Sequence, residues 1–93
     1  MRLYWARNDG MAGHVWLSPE HMRELAREMD EQGMSRAIPL AELAAGARVP
    51  PGAVDAALRR AAKEPRLLAD TKLWADWLTF LEGAAENGGL IVQ

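Results

Sequence analysis

Residues 40–58 read LAELAAGARVPPGAVDAAL. Alanine-rich helical periodicity runs through this stretch and is broken twice, at Gly46 and at Pro50-Pro51-Gly52. Glycine raises the entropic cost of a helix, and proline lacks the N–H that a helix interior needs, so the breakers predict two short helices. The first runs from about Pro39 to Ala45. The second runs from about Pro51 to Ala62, with proline tolerated in its first turn and Pro65 ending it beyond Lys63. Val54, Ala57, Leu58 and Ala61 form its inward stripe, which leaves Arg59 and Arg60 outside.

Toward the N-terminus, Ser18-Pro19-Glu20 is a helix start: the serine hydroxyl can accept a free backbone N–H, and proline at the first position loses no needed donor. That helix reaches about Gln32. Met22, Leu25, Ala26 and Met29 recur at i, i+3, i+4 and i+7 as its buried stripe, and Gly33 suits its C-terminal end. Further upstream, LYWA and HVWLS are aromatic and β-branched runs separated by RNDGMAG, where Asp9-Gly10 and Gly13 are turn formers, so the two runs read as a hairpin. Alternation places Leu3 and Trp5 on one face with Val15 and Leu17, and turns Trp16 and His14 to the other. Toward the C-terminus, Asp70 caps a longer helix whose apolar face carries Leu73, Trp74, Trp77, Leu78, Leu81 and Ala84 or Ala85. Asn87-Gly88-Gly89 ends it, and Leu90-Ile91-Val92 reads as a third strand added to the hairpin.

Ninety-three residues with 49% hydrophobic content suffice for one core, so residues 1–93 are expected to form a single domain. The absence of cysteine excludes a disulfide framework and thiolate metal sites and favours a reducing, cytoplasmic setting. The N-terminal residues lack the apolar run of a signal peptide, and no segment approaches the ~20 apolar residues of a membrane span, so no membrane partner is expected. Net charge is -2. A mildly basic segment, residues 35–65, lies between acidic ones, far from the footprint of a dedicated nucleic-acid module.

Within 40–58, Leu40, Leu43 and Ala44, then Ala47 and Val49, then Val54 and Leu58 stand where a helix-turn-helix unit keeps its first helix, its turn and the inward face of its second helix. The stretch thus resembles the helix-turn-helix of bacterial repressors. The resemblance covers about a fifth of the chain and implies two short helices packed at a steep angle. It also implies a transcriptional regulator, which would need a homodimer to present two reading helices. The N-terminal part of the second helix offers Pro51, Gly52, Ala53 and Asp55, none a usual donor to base edges. Only Arg48, Arg59, Arg60 and Lys63 could touch phosphate, which gives weak, non-specific nucleic-acid binding.

No catalytic constellation emerges, and no cofactor is expected. His14 and His21 lack the partners of a metal site. Ser18 with His21 has the look of a nucleophile and base, yet capping accounts for the serine. What remains is surface. Glu20, Glu24, Glu28, Asp30 and Glu31 lie opposite the apolar stripe of the first helix, interleaved with Arg23 and Arg27 at spacings that permit ion pairs. Trp16, turned outward just before that helix, would supply an aromatic anchor beside the carboxylates. The expected fold is therefore α+β: a small antiparallel sheet, hairpin plus C-terminal strand, against about four helices, two of them arranged like a helix-turn-helix. The expected function is non-enzymatic binding of another protein through Trp16, Glu20, Glu24, Glu28 and Glu31. The alanine- and arginine-rich composition is similar to that of GC-rich bacteria or phages, where chains this short serve as inhibitors, immunity proteins or accessory regulators.

Overall fold

The computed structural model describes residues 1–7 and 10–93. The chain runs β1 (Arg2–Arg7), β2 (Gly10–Trp16), α1 (Pro19–Glu31), a 3-10 turn (Leu40–Glu42), β3 (Arg48–Val49), α2 (Pro51–Arg60), α3 (Thr71–Glu86) and β4 (Leu90–Val92). The strands form one antiparallel sheet in the order β2-β1-β4-β3. The class is α+β, with three α-helices where about four were expected.

Local signals account for most element ends. Ser18 Oγ accepts the N–H of His21 at 3.0 Å, and Asp70 Oδ1 accepts that of Leu73 at 2.9 Å. The turn expected at Asp9-Gly10 lies in part outside the described residues. Gly13, read as a turn former, instead stands inside β2 opposite Trp5. The reason is steric. A Cβ at Gly13 would collide with the Trp5 ring, and a Cβ at Gly83 of α3 would come within 2.5 Å of the same ring, so the indole occupies a slot between two glycines. Beyond this pair the register shifts by one residue, as at a β-bulge.

The stretch 40–58 departs from expectation. Where a helix was expected over 39–45 there is a single 3-10 turn, and the supposed turn of the helix-turn-helix is β3, so the stretch holds one α-helix rather than two. A helix of seven residues is marginal on its own. The residues just after it join the sheet instead of a turn: Gly46 N–H donates to Val92 O at 2.8 Å, and Val92 N–H to Ala47 O at 2.9 Å. The expected three-stranded sheet thereby gains a fourth strand. Gly89 makes the approach feasible, because its φ of +82° is poorly tolerated by other residues and a Cβ there would meet Pro50 C at 2.9 Å. Helix α2 likewise stops at Arg60 rather than Ala62, because the N–H of Ala62 goes to Gln32 Oε1 and its carbonyl accepts Trp74 Nε1 at 3.0 Å.

Leu3, Leu17, Leu25, Met29, Val54, Trp74, Trp77, Leu81, Leu90 and Val92 meet in the core. Trp77 stacks on Phe80 with ring centroids 5.7 Å apart. Helix α3 packs against α2 on one side and the sheet on the other. The sheet surface turned to the core carries Leu3, Trp5, Leu17, Leu90 and Val92, and the alternate residues form the outer face.

Candidate functional site

The carboxylates of α1 do not share one surface. At about 100° per residue, Glu20, Glu24 and Glu31 lie within ~40° of one another. Glu20 and Glu31 are exposed and Glu24 is half-buried. Glu28, expected on the same docking face, is instead wholly buried. Its Oε2 accepts the Gln32 side-chain amide at 2.7 Å and the N–H of Arg66 at 2.9 Å, while Oε1 accepts the N–H groups of Leu67 at 2.6 Å and Leu68 at 2.7 Å. Burial pushes its pKa up, but the hydrogen bonds to Arg66, Gln32, Leu68 and Leu67 outweigh it and hold the carboxyl at about 2. With both oxygens so occupied, Glu28 clasps the α2–α3 connection onto α1 and has no exposed surface.

The ion pairs that α1's spacing permits are not made. Among the described residues the pairs are Arg59–Asp55 at 3.0 Å and Lys72–Asp76 at 2.7 Å, both exposed. Arg23 and Arg27 instead edge a groove of ≈ 630 Å³ that runs along α1. Met1, Pro19, Met22, Ala26 and Ala41 form its apolar floor, and Asp30 closes one end of its rim. Sequence reading missed this groove. It exists because the 3-10 turn brings Ala41, and the start of β1 brings Met1, beside a helix flank whose residues 22 and 26 looked simply like core.

Trp16 is 68% exposed, the most open large apolar residue among those described. It stands on the outer sheet face opposite Arg2, whose guanidinium carbon lies 5.9 Å from its ring centroid, within cation–π range. The pairs Tyr4–His14, Tyr4–Ile91 and Arg48–Ile91 set the next row across all four strands. Register neighbours project from one face, so Trp16 shares the outer face with Arg2, His14 and Tyr4. His14 and Arg48 are exposed, and Arg2, Tyr4 and Ile91 half-buried.

The basic residues of the DNA-binding alternative are divided. Arg48 lies on β3, before the start of α2, whereas Arg59, Arg60 and Lys63 are exposed at its other end, about 15 Å along a ten-residue helix. His21 is half-buried in the first turn of α1, and its contact with Ser18 is the capping bond already described. No group of three or more His, Cys, Asp or Glu among the described residues is placed to hold a metal ion. No helix among them is long and apolar enough to cross a membrane. Comparison with protein families, with curated proteins and with solved structures returned no match.

Proposed function

We propose that the protein is a non-enzymatic module that binds another protein, of the small inhibitor, immunity-type or accessory-regulator kind. The groove along α1 carries this reading. It has an apolar floor that the core leaves uncovered, and two arginines on its edge that no carboxylate of the described residues pairs with. The occupant it suits is a partner's amphipathic helix: an apolar stripe fills the floor, and acidic residues on its flank meet Arg23 and Arg27. Glu20, Glu24 and Glu31 lie beyond that edge and would repel an acidic flank seated the other way round, which favours one orientation. The helix-turn-helix alternative has less support, since one α-helix stands in the stretch and its first turn offers no base-reading donor.

The test is capture from lysate with wild type and two variants, Ala41→Arg to fill the groove from its exposed side and Arg23→Glu with Arg27→Glu to reverse its edge. A partner retained by wild type should be lost or weakened more than tenfold by each. A partner that binds all three alike would exclude the groove as the contact surface.

A further inference from the structure

The outer face of the sheet is chemically unlike the rest of the surface. The chain has a net charge of -2, yet none of the four strands contains Asp or Glu. Arg2 and Arg48 face outward with no carboxylate of the described residues paired to either, and Arg2 Nε is shielded from solvent without an acceptor. Two rings, Trp16 and Tyr4, share the face with them. We propose that this face binds single-stranded nucleic acid, with bases stacked on Trp16 and Tyr4 and phosphates held by Arg2 and Arg48. This goes beyond the groove on α1 and does not depend on it.

Spacing supports the assignment. Trp16 and Tyr4 are diagonal neighbours on adjacent strands, about 7–8 Å apart, so consecutive bases of an extended strand can each take one ring. Arg48 lies two strands beyond Tyr4, about 10 Å on, where the phosphate backbone would continue. The arginine behind Trp16 steadies the indole by contact with its ring and leaves the remaining surface open. A duplex does not fit this pattern, because its paired bases have no free faces to stack on the two rings. An acidic protein surface would also meet the arginines, and competition by polyglutamate distinguishes the two.

Fluorescence anisotropy of labelled oligothymidylate and oligouridylate of about 12 nucleotides, at about 50 mM salt, tests the proposal. Saturable binding is expected, with a duplex of equal length at least tenfold weaker. The logarithm of affinity should fall with that of salt at a slope of about -1.4, for two phosphates on a single strand. Trp16→Ala and Arg48→Glu should each weaken binding roughly tenfold or more without lowering the melting temperature, since both side chains are exposed. Ala41→Arg should leave it unchanged, which separates this face from the groove. Intrinsic tryptophan emission should also be quenched on binding, because Trp16 is the open indole while Trp74 and Trp77 are buried. Absence of binding, equal affinity for duplex, or wild-type affinity in Trp16→Ala would overturn the proposal. So would displacement of the oligonucleotide by polyglutamate at equal charge concentration, which would mark the face as a site for acidic protein.

Discussion

Glu28 and Trp16 occupy the places that polarity alone would have exchanged. The carboxylate is wholly buried, and the indole is 68% exposed. Around Glu28 the chain from Ala62 to Leu68 runs without regular structure, so its N–H groups have no ladder to join, and a carboxylate with a neighbouring amide answers four of them. Trp16 ends an edge strand on the face of the sheet turned away from the core, and apart from the Arg2 guanidinium against its ring it stays open. The lesson is that burial follows what a neighbouring segment needs. A charged side chain goes inside where it is the cheapest set of acceptors, and a large apolar one stays outside where no element is left to pack on it.

The contrast between covered and open surfaces can be broken most severely from the covered side. Trp77→Ala empties a buried ring from the centre of the core, at a cost of about 3–5 kcal/mol, a large share of the stability of a domain this size. Thermal melting should find it unfolded or nearly so. A variant melting within a few degrees of wild type would mean that α3 is not the core helix.

Next comes Glu28→Gln, which removes one acceptor and turns an amide toward backbone donors. From the lowered pKa, the loss should be about 3 kcal/mol near neutral pH, measured by urea titration. The sign of the pH dependence is fixed by the depression. The contribution of Glu28 is complete above its ordinary value of 4.5 and drains away as pH falls toward about 2. Stability of the wild type should therefore decline across that window, and the variant should decline less. Parallel acid limbs would show that the clasp does not hold an ionised carboxylate.

Gly83→Ala tests a sign. In an exposed helix interior the change would stabilise by about 1 kcal/mol, but here the new Cβ meets the Trp5 ring, and a loss of about 1–3 kcal/mol is expected. Greater stability would remove Trp5 from its slot. The smallest effect is reserved for Trp16→Ala, which should change unfolding free energy by less than about 0.5 kcal/mol, as for other open positions. A large loss would show that the ring is packed and would end its use as a binding surface.

Much of the fold is written in short-range signals. Ser18 with Pro19, Asp70, the stripe through Leu25 and Met29, the apolar face around Trp77 and the Gly89-to-Leu90 switch from helix to strand all act within a few residues, and each stands as expected. The alternation that turned Trp16 outward held for the same reason: period two is a property of the strand itself. The remainder depended on partners far along the chain. Residues 46–49 read as the break between two helices but pair with β4 more than 40 residues later, because an open sheet edge offers hydrogen bonds that an isolated turn does not. Glu28 is indistinguishable in sequence from Glu24, and its burial is decided by backbone donors 38 to 40 residues away. The groove on α1 and the cationic outer face arise in the same way, from which elements the packed chain sets side by side. The sequence by itself thus determined the elements and which side of each is apolar. Only the tertiary structure decided which polar groups are enclosed and which apolar surface is left for a ligand, since both depend on what a distant segment lacks.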